Sequence, residues 1–131
     1  MEEQLRRRIL VVDSEEHAAD LVRNLLAQAG FDVTTSTDCA AVPHLLQSSE
    51  FDVVFLDETL AGQLLDSIQF AVRKAAHKPQ VIILQSGMSV PRGMASSSLP
   101  VDGIVNKRRA CDILAVAGDA VTKAPAVLKK A

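Results

Sequence analysis

The stretch Phe51-Asp52-Val53-Val54-Phe55-Leu56-Asp57 is a short apolar run that ends in an acid. A second stretch, Ile9-Leu10-Val11-Val12-Asp13, has the same form, and Val81-Ile82-Ile83-Leu84 follows Pro79 with the same character. Continuous runs rich in β-branched residues suit strands covered on both faces, as in a parallel sheet between helices. Weaker strands are expected over 31–36 and 102–106. Between them, apolar residues recur at helical spacing. Ala18, Leu21, Val22, Leu25, Leu26 and Ala29 form one stripe, stopped by Gly30. Leu64, Leu65, Ile68, Ala71, Val72 and Ala75 form another, and Ile113, Leu114, Ala117, Ala120 and Val121 a third. A shorter helix fits 40–48 if Pro43 falls in its first turns, where its missing N–H costs nothing. The order is β-α repeated about five times, which predicts an α/β fold: a three-layer, doubly wound, five-stranded parallel sheet. Right-handed crossovers then bring every strand's carboxyl end to one edge. The fourth helix is the weak element, because nine of the fifteen residues over 86–100 are Ser, Gly or Pro.

Composition narrows the classes. The chain has 131 residues, 48% hydrophobic, 23% charged and 3% aromatic, with a formal net charge of −2. This is one domain with enough apolar content for a core, not a disordered segment. No basic patch interleaved with aromatics suggests a nucleic acid, and no apolar run approaches the roughly 20 residues of a membrane span. Met1-Glu2-Glu3 opens acidic with no apolar h-region after it, so no secretory signal is expected. Two cysteines, Cys39 and Cys111, have neither disulfide nor metal spacing and read as reduced, mostly buried thiols of a cytoplasmic protein. The domain is expected over 1–122 and a frayed tail over 123–131.

Ligands of open α/β sheets bind beyond the carboxyl ends of the strands. Asp13, Asp57 and Lys107 fall at three such ends. Two converging carboxylates repel unless a cation lies between them, and Mg²⁺ accepts one or two carboxylates plus waters. A nearby lysine balances the charge of an incoming phosphoryl group, and an ionised aspartate is a competent nucleophile toward phosphorus. Each residue alone reads more readily as something plainer, the acids as turn formers or helix N-caps and Lys107 as a solvated base. The three together point to a site.

With these residues in view, the chain resembles the receiver domain of bacterial two-component response regulators, a CheY-like, flavodoxin-like fold, over roughly 7–122. The resemblance rests on the segments 9–13, 51–57 and Val101-Asp102-Gly103-Ile104-Val105-Asn106-Lys107, and on the spacing between them. It implies that Asp57 is the phosphoacceptor and that Lys107 contacts the phosphoryl group. It also implies that Asp13, Asp57 and the backbone carbonyl of Thr59 hold Mg²⁺, and that Gln85 or Ser86 is the strand-four donor. Several positions depart from the family pattern. Ser14 stands where a second acid is usual, so Mg²⁺ is expected to bind weakly or not at all. Ile104 replaces the switch aromatic, Arg108 the proline after the lysine, and Leu60-Ala61 a Met-Pro pair. Glu15 and Glu16 read as acids favoured by a helix N-terminus. His17, His44 and His77 lack ligand spacing and read as surface or satisfied histidines.

The function implied is a stand-alone, non-enzymatic receiver that accepts a phosphoryl group on Asp57 in a phosphorelay. Its donor would be a histidine kinase or phosphotransferase, and its output would pass by contact with a downstream protein, without nucleic acid or membrane. The alternative is a pseudo-receiver, a docking module not phosphorylated in normal operation. An aspartate-nucleophile phosphatase fits less well, because Thr59 stands where its second acid would fall. The opening Asp-Ser-Glu-Glu after the first strand is no glycine-rich nucleotide loop.

Overall fold

A computed structural model describes residues 7–75, 77–85 and 101–122. Ser86, the expected weak fourth helix over 86–100 and the expected tail over 123–131 lie outside these residues. The elements run β1 (Arg8–Val12), α1 (Glu16–Gln28), β2 (Asp32–Ser36), a short 3₁₀ turn (Cys39–Ala41), α2 (Val42–Ser48), β3 (Val53–Asp57), α3 (Glu58–Lys74), β4 (Gln80–Gln85), β5 (Gly103–Asn106) and α4 (Ala110–Thr122). All pairings are parallel, in the order β2-β1-β3-β4-β5. The doubly wound five-stranded α/β sheet read from the sequence is the fold.

Alternation along the strands sorts the core into two halves. Ile9, Val11, Val53, Phe55, Ile82 and Leu84 face one side, against Ala19, Val22 and Leu26 of α1 and Ile113 and Ala117 of α4. Leu10, Val12, Val54, Leu56 and Ile83 face the other, against Val42 and Leu46 of α2 and Leu60, Ile68 and Ala71 of α3. The central strands β1 and β3 are therefore apolar at every core position, whereas edge strand β2 is only partly buried. Each fully buried aliphatic side chain contributes on the order of 1.5–3 kcal/mol.

Local signals set the helix ends. Gly30 adopts φ +100° after α1, and the N–H groups of Gly30 and Phe31 return to the carbonyls of Ala27 and Leu26 at 3.0 and 3.2 Å. That paired closure needs the left-handed conformation glycine allows. Pro43 sits at the start of α2, as expected. Helix α3 begins at Glu58, directly after β3, because Asp57 itself is its N-cap.

At the amino edge of the sheet, acids act as strand clamps. Asp52 Oδ2 accepts the Arg8 N–H at 3.0 Å, and Asp102 Oδ2 accepts the Val81 N–H at 2.8 Å. The other Asp52 oxygen lies 2.9 Å from His77 Nε2, so His77 is satisfied, while His17 and His44 are exposed. Cys111 departs from expectation. It is exposed on the first turn of α4, because the core stripe of that helix passes through Ile113 and Ala117 instead.

Candidate functional site

The site sits where the strand order reverses. From β1 the chain crosses to β2 on one side and then to β3 on the other, which leaves a crevice at the carboxyl ends of β1 and β3. The register pairs Val12 with Leu56, so Asp13, just past β1, comes beside Asp57, the last residue of β3. Lys107 follows β5, which is two strands from β3 and three from β1. Its four-carbon stem spans the end of β4, and its backbone N–H donates to the Gln85 carbonyl at 2.8 Å.

Lys107 Nζ donates to Asp13 Oδ2 at 2.8 Å and to Asp57 Oδ1 at 2.7 Å. The second oxygen of each acid accepts a local backbone N–H. Glu15 N donates to Asp13 Oδ1 at 3.0 Å, and Thr59 N to Asp57 Oδ2 at 3.2 Å. Each acid thus serves as a turn former through one oxygen and as a partner of the lysine through the other. The two readings open at the level of sequence are both true, oxygen by oxygen. Asp13 and Asp57 are buried, at 1% and 5% exposure, which makes the ammonium indispensable to their charge balance. Burial alone would lower the Lys107 pKa. The hydrogen bonds and charges of Asp13 and Asp57 outweigh it and hold the group above its ordinary value.

Asp13, Ser14, Glu15, Asp57, Thr59, Lys107 and Arg108 line an open, polar cavity of about 510 Å³. Asp13, Asp57 and Lys107 converge there, with Thr59 beside them. Gln85 is buried at the end of β4 and lies outside the described lining. Thr59 occupies the first turn of α3, where its N–H donates to Asp57 Oδ2. Among the described residues no cluster of three or more His, Cys, Asp or Glu side chains could hold a metal. The chemistry left for a divalent cation is the Asp13 and Asp57 carboxylates, a set that suits Mg²⁺ with most of its coordination filled by water.

Two lining residues carry more than the sequence suggested. Glu15 precedes α1 as its N-cap residue, makes no side-chain cap, and faces the cavity. Arg108 read only as a missing proline. A signal for it was present in Asn106, two residues earlier, since Asn favours this type of tight turn.

The reversal crevice thus carries two buried acids bridged by one lysine, at the carboxyl edge of a doubly wound parallel sheet. The chain belongs to the response regulator receiver domain family, whose model matches residues 9–117. A response regulator from Thermotoga maritima is 19% identical, with a TM-score of 0.76 over 89% of this chain and 98% of its own. A CheY-like receiver domain protein from Methanospirillum hungatei is 17% identical, with a TM-score of 0.74 over 90% and 95%. NtrX from Brucella abortus, solved in complex with ATP, is 24% identical with a TM-score of 0.76; the match covers 90% of this chain but 27% of NtrX. At these identities the likeness shows the fold. No curated protein sequence matches the chain. Among the described residues, no helix is long and apolar enough to cross a membrane.

Proposed function

We propose that this receiver domain works in a cytoplasmic phosphorelay, taking a phosphoryl group on Asp57 from a histidine kinase or phosphotransferase and passing the signal on by protein contact. The observation that carries the reading is the Lys107 ammonium held between Asp13 and Asp57 at the carboxyl edge. In the transfer, an Asp57 carboxylate oxygen forms a P–O bond as the donor's P–N bond breaks. The imidazole leaves with the bonding pair and takes up a proton. The added phosphoryl charge needs a nearby cation, and Lys107 is already in hydrogen-bond reach of the accepting carboxylate. Mg²⁺ held by Asp13 and Asp57 would supply further positive charge to the phosphoryl oxygens. Asp13 keeps the lysine poised when no phosphoryl group is present.

Incubation with a small acyl phosphate and Mg²⁺, followed by mass spectrometry of the intact chain and its peptides, tests this. One phosphoryl group on Asp57, abolished in Asp57→Asn, is the expected result. No label on Asp57, or a label unaffected by that substitution, would overturn the reading in favour of a docking module.

A further inference from the structure

We infer that Arg108 is an oxyanion-binding residue of this cavity, a second cation that grips the non-transferring oxygens of the phosphoryl group. The inference deepens the proposed function and rests on it for the identity of the ligand, though not for the binding itself.

The cavity's cations are not equivalent. Lys107 is committed to two acids at 2.8 and 2.7 Å. Arg108 lines the same cavity, is exposed, and its guanidinium makes no ion pair or hydrogen bond among the described residues. Its neighbour Arg109 differs, because its Nε pairs with Asp112 Oδ2 at 2.7 Å on the first turn of α4. Two adjacent arginines have therefore separated, one spent on a helix and one left to the cavity.

The turn that separates them is fixed by side-chain chemistry. Asn106 Oδ1 accepts the Arg108 N–H at 2.8 Å, and the Asn106 carbonyl accepts the Arg109 N–H at 3.0 Å. This local closure sets the backbone of 106–109 and puts Arg108 on the cavity side.

The charge balance explains what such a residue would do. Asp13, Glu15 and Asp57 bring three formal negative charges to the lining, and Lys107 and Arg108 two positive ones. With Ser14 neutral, the donor set for a divalent ion is limited to two carboxylates. A phosphoryl oxyanion entering here meets Asp13 and Asp57 oxygens that already have hydrogen-bond partners, the exposed Glu15 carboxylate at the rim, and one cation with a free planar fork. Guanidinium forks match the tetrahedral oxyanion in a bidentate manner that a point charge does not.

The test uses the full chain with Mg²⁺ present and inorganic phosphate as the probe, read by amide chemical shifts of Glu15, Thr59 and Lys107. Wild type should bind phosphate, and Arg108→Gln should weaken it about three- to tenfold, as expected for one charge-assisted contact at an exposed rim. Arg108→Lys should recover part of the loss. Arg109→Gln removes the same formal charge one residue away and should leave the affinity nearly unchanged. Equal losses in the two Gln variants, no loss in Arg108→Gln, or no binding by wild type would each overturn the inference. If phosphate binds through Arg108 while acyl phosphate leaves Asp57 unlabelled, the inference stands and the phosphoacceptor role falls.

Discussion

Removing the Lys107 ammonium while keeping its bulk, as in Lys107→Met, strands two buried carboxylates against each other. Asp13 Oδ2 and Asp57 Oδ1 lie 2.8 and 2.7 Å from the same nitrogen, so they can be no farther apart than those two bonds laid end to end. Two unit charges at about 5 Å repel by about 3 kcal/mol at an effective dielectric near 20. Water entering the open cavity reduces this, while the loss of two charge-assisted hydrogen bonds adds to it. The net expectation is a destabilisation of about 2–4 kcal/mol at pH 7. The repulsion also raises at least one acid above the usual carboxylate range in the folded variant. The folded state then binds more protons than the unfolded one, so the variant loses stability as pH rises through that value. Its deficit against wild type should therefore shrink toward pH ~4, near the ordinary aspartate value. Urea unfolding of both chains at pH 7 and pH 4.5 measures the difference directly. The double variant with Asp13→Asn should recover most of the loss at pH 7. A deficit equal at both pH values, or below about 0.5 kcal/mol at pH 7, would refute the idea that the lysine neutralises the acid pair.

Three further outcomes are expected. The raised Lys107 pKa gives wild type a contribution to stability that is complete below the ordinary lysine value of ~10.4 and is lost as pH climbs through the higher folded value. Alkaline denaturation followed by circular dichroism should show this loss in wild type and not in Lys107→Met. Ser14→Asp, at an exposed lining position, should tighten Mg²⁺ about tenfold by calorimetry, and unchanged or weaker binding would show that position 14 does not face the ion. Gly30→Ala should cost about 1–2 kcal/mol in urea unfolding through backbone strain at φ +100° alone, since an added Cβ meets nothing within 4 Å.

The central sheet was legible because burial on both faces leaves a plain trace. The apolar runs 9–12, 53–56 and 81–84 are β1, β3 and β4 to within a residue or so at either end. Asp13, Asp57 and Lys107 were legible for a related reason, since a charged residue that ends an apolar strand must emerge at its rim. The start of α3 was not, because Leu60 is a single apolar residue ahead of the recurring stripe and the helix's N-cap is a residue already counted as a strand end. The partnership of Asp52 with His77 was hidden too, since it joins two loops 25 residues apart whose proximity only the β3–β4 pairing creates. Cys111 was read as buried from its residue type, which says nothing about which face of α4 carries it. Arg108 was read as the absence of proline, and its place on the cavity follows from a turn whose closure depends on tertiary position.

The passage from β3 to α3 has no slack. Asp57 ends the strand, Glu58 begins the helix, and the same carboxylate closes the helix's first turn at Thr59. Most strand-to-helix junctions have a few loop residues in which a disturbance at one end dies out. Here a load placed on the Asp57 carboxyl has nowhere to be absorbed. The first turn either gives up its cap or moves with it, and the 17 residues of α3 form a rod about 25 Å long. Toward the far end of that rod stands Phe70, one of the two large apolar side chains most exposed on the described surface. The junction therefore ties the position of the whole rod to one carboxylate, and inserting a single flexible residue between positions 57 and 58 should release the Thr59 cap from the strand end.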